Sequence, residues 1–213
     1  MAYEDPRPIR SRQALIQAMT EVLDSEAADQ DITVADLARL AGVSRPTLYQ
    51  HFGDLATLTH AAALARLEAA FAQIPEDNLS DTWTAYARST FHFLFTDLDT
   101  HARFYRRALQ GPAGYALSQD VVGLLARRLL DTSPLGPIIR RRQGPDSPQD
   151  RADFLAAGVA WHVIHWLQQE PRTPNTVDEV AERVSALLLA ACGATKAEIA
   201  AVEAGTVPPG IVR

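Results

Sequence analysis

The run Gly42-Val43-Ser44-Arg45-Pro46-Thr47-Leu48-Tyr49-Gln50-His51-Phe52 constrains this chain more than any other segment. It follows Thr33-Val34-Ala35-Asp36-Leu37-Ala38-Arg39-Leu40-Ala41 without a break, and together they read as helix, tight glycine turn, helix. Thr33 is placed to cap the first helix, with Asp36 three residues on as its reciprocal partner. Gly42 tolerates the backbone angles of a sharp turn, and Val43 is an apolar plug for the crossing of the two helices. Ser44 caps the second helix, and Pro46 falls in its first turn, where a missing N–H does no harm. Leu48 and Phe52, four apart, face inward. Arg45, Thr47, Gln50 and His51 are left pointing outward with Tyr49 at the edge, a polar face suited to the DNA major groove.

Beyond residue 60 the pattern stays helical, with no alternating run that would make a strand. Helices are expected over 11–27, 33–41, 45–51, 54–73, 80–97, 100–109, 115–132, 152–169 and 177–193, with a short tail helix near 195–204. Breakers separate them at Pro75, Gly111-Pro112, Pro134 to Pro137, Gly144-Pro145, Pro171 to Pro174 and Pro208-Pro209-Gly210. The expected fold is therefore all-α. Residues 1–9 read as a flexible N-terminus, 10–54 as the helix-turn-helix domain, 55–204 as a helical effector-binding and dimerisation domain, and 205–213 as a flexible tail. At 213 residues the chain needs a core larger than its first sixty residues supply.

The linked features of the N-terminal part resemble the DNA-binding domain of the tetracycline-repressor (TetR) family of bacterial regulators. The resemblance spans about Arg10 to Leu67. It is carried by an amphipathic helix from Arg10, the Thr33 cap, Leu37-Ala38, the Ala41-Gly42-Val43-Ser44 turn, Leu48-Tyr49, Phe52, and Leu58 six residues further on. It implies that Arg45, Pro46 and Thr47 lie nearest the base edges, Arg45 suited to guanine and Pro46 to a thymine methyl. It implies that Thr33, Ser44 and Tyr49 hold phosphates and fix the register. Gln50 and His51 reach either bases or phosphates. One position departs: the family usually has a phosphate-gripping lysine where this chain has Leu55. Residues 1–60 hold five arginines, no lysine and nine acidic residues, a formal charge of −4. A basic patch, the usual footprint of DNA binding, must then come from the placement of Arg10, Arg12, Arg39 and Arg45.

Two late helices carry the expectation of a homodimer. Val177, Val180, Ala181, Val184, Leu187, Leu188 and Ala191 make one apolar stripe, opened by a Thr176…Glu179 capping box. The segment from Phe154 to Leu167 is apolar nearly all round, so it must be covered on more than one side. The pattern alone is compatible with a monomer that buries this helix centrally. The family's habit of pairing these two helices, near 152–169 and 177–193, implies a dimer that reads a palindromic double-stranded operator.

Aromatic residues concentrate in the middle helices, the composition expected of a pocket for a small organic effector. Phe91, Phe95, Tyr105, Trp161 and His165 are the candidate lining residues, against the alternative that each is ordinary core. His162 and His165, three apart, have no carboxylate or cysteine at ligand spacing, so no metal and no cofactor is expected. Arg140-Arg141-Arg142 reads as a solvated loop edge rather than a second nucleic-acid contact. Cys192, the single cysteine, lies in an apolar helical run and reads as an inert core thiol in a reducing compartment. The opening residues lack a positive and an apolar region, and no apolar stretch approaches bilayer length, so a cytoplasmic protein without membrane contact is expected.

No phosphate-binding glycine loop, nucleophile elbow or carboxylate pair points to an enzyme. A net charge of −6 and a pI near 5.5 oppose indiscriminate coating of nucleic acid. The leading expectation is a one-component transcriptional regulator, a repressor on the family's habit, released from its operator by a small apolar or aromatic effector. The alternative is a ligand- or protein-binding helical dimer that has lost operator binding.

Overall fold

The computed structural model describes residues 7–25, 32–74, 83–169 and 176–193. All regular structure among them is helical: α1 (Arg7–Asp24), α2 (Val34–Leu40), α3 (Arg45–Phe52), α4 (Leu55–Ala72), α5 (Trp83–Thr100), α6 (Ala102–Gln110), α7 (Gly114–Asp131), α8 (Gly136–Arg141), α9 (Pro148–Gln168) and α10 (Thr176–Cys192). The tail helix expected near 195–204 lies outside the described residues, as does the side chain of Thr176. Arg7, Pro8 and Ile9 belong to α1, which corrects the expectation of a flexible stretch up to residue 9.

The described residues form two compact units. The first comprises residues up to 69 with 101–118, the second residues 70–100 with those from 119 on. In the first unit α1 packs against α2, α3 and α6. Leu15, Met19, Leu37, Leu48, Leu58 and Phe104 are all within 1% of full burial and form its core. Arg66 ties three helices of this unit together. Its guanidinium meets Asp24 of α1 at 2.9 Å and His101 Nδ1 at 3.0 Å, and lies 4.4 Å from the centre of the Phe104 ring. Arg107 of α6 donates to the Val22 carbonyl at 3.1 Å, supplying a partner to the last turn of α1. Because α6 packs on α1, residues 101–118 join the N-terminal unit.

In the second unit α10 packs on α5 and α9, and α8 on α9. Phe95 is fully enclosed, its ring meeting Trp166 edge-on at 5.2 Å. The helix α8 falls where Pro134 to Pro137 was expected only to break structure. Pro137 sits in its first turn, a position with no N–H to lose. Helix α9 begins four residues earlier than expected, at Pro148, behind a Ser147–Asp150 capping box.

The three arginines expected to line a solvated edge are all exposed, and their guanidinium groups also satisfy carbonyl groups. Arg140 donates to the Leu130 carbonyl and pairs with Asp131, and Arg141 donates to the Pro137 carbonyl at 3.0 Å. Arg142 donates to the Cys192 carbonyl at 2.6 Å, capping the end of α10. Next to that cap, burial pushes the Cys192 thiol up to about 11. Two pH units above an ordinary thiol cut the thiolate fraction by about 100-fold. The native protein at pH 8 is therefore expected to react about 100-fold more slowly with a disulfide reagent than the guanidinium-unfolded chain. A native rate equal to the unfolded one would show Cys192 to be an accessible thiol.

Candidate nucleic-acid interface and interior cavity

The turn between α2 and α3 is closed by backbone bonds that only a glycine accommodates without strain. The Gly42 N–H donates to the Arg39 carbonyl at 3.2 Å, and the Val43 N–H to the Ala38 carbonyl at 2.9 Å. This is the paired pattern of a Schellman end, with Gly42 at φ +65°. Thr33 accepts the Asp36 N–H at 3.2 Å, and Ser44 accepts the Thr47 N–H at the same distance, so each hydroxyl caps its helix. The Asp36 carboxylate accepts from the Thr33 hydroxyl rather than closing the box on the backbone. That bond, with a smaller contribution from Arg39, holds the Asp36 carboxyl below its ordinary value.

Leu48 and Phe52 are buried beneath α3, Leu48 completely. Ser44, Arg45, Pro46, Tyr49 and Gln50 are exposed, Tyr49 by 53%, and Thr47 is half-buried against the cap. Thr33 is exposed at the start of α2. His51 is placed differently: its Nε2 meets the Ser11 hydroxyl of α1 at 2.8 Å, and the ring lies half-buried near Phe52. It is bonded to α1 rather than standing out beside Tyr49 and Gln50.

Of the arginines expected to supply positive charge, Arg12 lies with its guanidinium 5.3 Å from the centre of the Phe52 ring, at the end of α3. Arg39 is 80% exposed and pairs with Asp36 at a long 3.4 Å. So exposed a pair contributes little and is readily exchanged for a phosphate. Leu55 opens α4 half-buried, and Asp54 before it accepts the Thr57 N–H at 2.7 Å. The helix start that holds a lysine in the resembled family is here a carboxylate cap.

The candidate effector residues separate into different environments. Phe91 lines a cavity of about 30 Å³ in the second unit, together with Phe71, Tyr86, Thr90, Leu94, Leu125, Arg128, Leu129, Val159 and Leu188. Phe95 is core beneath it, and Tyr105 belongs to the core of the first unit, edge-on to Phe104. Trp161 and His165 do not line the cavity: they are exposed on α9, stacked on one another at 5.1 Å with 5° between their planes. Their face continues through Phe154, 78% exposed, and Trp161 itself is 61% exposed. Positions 154, 157, 158, 161 and 165 form one stripe along α9, all exposed, and Leu187 is exposed on α10. The sequence reading missed Thr90 and Arg128, whose only local signal is a polar residue within a mostly apolar helix.

A wider open groove of about 430 Å³ runs past Arg142, Asp146, Asp150, Arg151 and Phe154. Its charges are satisfied internally, Arg151 by Asp146 and by the Ile139 carbonyl at 2.9 Å. Among the described residues no three His, Cys, Asp or Glu side chains come together as a metal site. His92 instead meets Asp178 at 2.9 Å between α5 and α10. No described helix is long and apolar enough to cross a membrane.

A capped helix-turn-helix thus stands at the head of the described helices, the arrangement by which a second helix is presented to a DNA major groove. Residues 30–62 match the model of the bacterial regulatory proteins of the tetR family. The fold is similar over most of its length to a tetR-family transcriptional regulator from Streptomyces coelicolor. That likeness has TM-score 0.59 and 18% identity, covering 92% of this chain and 90% of that one. The transcriptional repressor QsdR of R. erythropolis aligns with TM-score 0.56 and 17% identity over 87% of this chain and 96% of its own. AlkX of Dietzia sp., a repressor implicated in n-alkane biodegradation, aligns with TM-score 0.53 and 21% identity over 85% and 96%. No curated protein matches the chain in sequence.

Proposed function

We propose that this protein is a homodimeric one-component regulator that binds a palindromic operator through α3 and is released by a small apolar effector. The observation that carries the reading is the division of α3, with Leu48 and Phe52 sealed beneath and Arg45, Pro46, Tyr49 and Gln50 exposed. Arg45, Pro46 and Thr47 are assigned to base edges, and Thr33, Ser44 and Tyr49 to phosphates. Gln50 joins whichever is nearer, and His51 serves mainly to seat α3 on α1. Two copies pair through the exposed apolar stripe of α9 and the adjoining face of α10, which sets two recognition helices about 34–36 Å apart on successive major grooves. Repression is taken over activation on the habit of the resembled family alone. Helix α4 runs from the end of the reading module to Phe71 in the cavity wall, so it is the segment assigned to carry the effector signal.

Selection of bound sequences from random duplex DNA tests the reading, with an inverted repeat as the expected outcome. No enrichment at low salt, where phosphate contacts are strongest, would favour a ligand- or partner-binding dimer instead. Leu55 and the acidic first sixty residues are what support that second reading. With the selected operator in hand, Arg45→Ala is expected to lower discrimination at one base pair by about 1–3 kcal/mol. A uniform loss across all sequences, measured by fluorescence anisotropy, would make Arg45 a phosphate contact.

A further inference from the structure

The cavity of the second unit is apolar on most sides, yet its wall carries polar groups whose only neighbour of their own kind among the described residues is the Tyr86 phenol. Phe71, Phe91, Leu94, Val159 and Leu188 supply apolar wall. Thr90 is only 3% exposed, and apart from the neighbouring Tyr86 phenol its hydroxyl meets no polar group among the described residues. The buried Nε of Arg128 likewise has no acceptor among them. A buried donor left unmade is costly, and native proteins rarely tolerate two on one cavity wall without a use for them.

Arg128 carries a full positive charge, and no carboxylate pairs with it among the described residues, although other arginines of the second unit meet one. Its guanidinium lies 4.5 Å from the centre of the Phe71 ring, which compensates the charge only partly. The buried phenol of Tyr86 stands beside both Arg128 and Thr90, and burial raises its pKa against the pull of those two neighbours. A neutral phenol cannot balance a guanidinium. The three groups form a donor set at the edge of an apolar space, which is the complement of a carboxylate on an apolar body.

We propose that this cavity is the effector site and that it takes an apolar carboxylic acid in its anionic form, with Arg128 as counter-charge and Thr90 and Tyr86 as additional donors. The inference rests on the regulator reading above and narrows its effector from any apolar molecule to a monoanion. At about 30 Å³ the cavity now has room for a water molecule or two, not for a molecule needing some 300 Å³. Binding therefore parts the helices that line it, α5, α7, α9 and α10 and the end of α4. A ligand that needs an opened cavity favours the opened state, which is the differential affinity a switch requires.

The test is calorimetric titration of the full-length protein with octanoate, decanoate and 4-phenylbutanoate, each beside its primary amide. The acids are expected to bind saturably and at least about tenfold more tightly than the amides, as befits hydrogen bonds to a charged group. Arg128→Met, which keeps the length of the stem, is expected to erase the preference for acid over amide. Thr90→Val is expected to weaken the acids severalfold while leaving the amides unchanged. Equal binding of acid and amide by the unaltered protein would overturn the proposal without reliance on any variant, and so would failure of all three acids to bind. Operator binding by the same preparation is measured in parallel. DNA bound but no acid bound overturns the carboxylate site alone, whereas acid bound but no DNA bound overturns the regulator reading alone.

Discussion

Leu48→Ala is expected to abolish sequence-specific DNA binding although Leu48 faces away from DNA. Its side chain is fully buried beneath α3, in the small core shared by α1, α2 and α3. Truncating such a leucine costs about 2–5 kcal/mol, a large part of the stability of a small module. Helix α3 is eight residues long, too short to persist in water without the packing that Leu48 and Phe52 provide. The measurement is operator binding by anisotropy, alongside amide exchange of residues 45–52. Unchanged affinity, or protection equal to that of the parent, would show that α3 is held by its caps and by the His51–Ser11 bond instead.

Trp161→Asp is expected to yield a folded monomer that binds operator about 100- to 10,000-fold more weakly. The loss is that of the second half-site, since a dimer engages both at high effective concentration. Trp161 is 61% exposed within the chain, so an aspartate there leaves the fold intact. In the proposed interface the same carboxylate would be buried without a partner, at a cost of several kcal/mol. Sedimentation with circular dichroism separates the two effects. A variant that remains dimeric would remove α9 from the interface and return Trp161 and His165 to candidacy for another role.

The helix-turn-helix was legible because its determinants are local. Thr33, Gly42, Ser44 and Pro46 each act within four residues of themselves, so caps, turn and first helical turn follow from residue type. The inward placement of Leu48 and Phe52 follows from helical period alone. By contrast, Arg140, Arg141 and Arg142 look alike in sequence but reach three different carbonyl groups, one of them fifty residues away at Cys192. Such partners are set by tertiary packing. Pro137 was read as a breaker because the sequence does not say whether a proline precedes a helix or ends one. Helix α9 is apolar nearly all round and has no single preferred face, so nothing local distinguished Trp161, which points outward, from Trp166, which is core. Thr90 and Arg128 belong to different helices, and only the fold brings them to one wall.

With only about 30 Å³ open beside Arg128, a bound molecule has to wait for the surrounding helices to part. The rate of association then stops rising with ligand concentration and levels off at the rate of opening. The apparent dissociation constant equals the intrinsic one divided by the fraction of protein already open. Substitutions that hold the helices apart would tighten binding without touching the ligand, whereas enlarging Val159 would slow it while sparing the guanidinium. In stopped-flow traces that plateau would distinguish a cavity that must widen from a chamber standing ready.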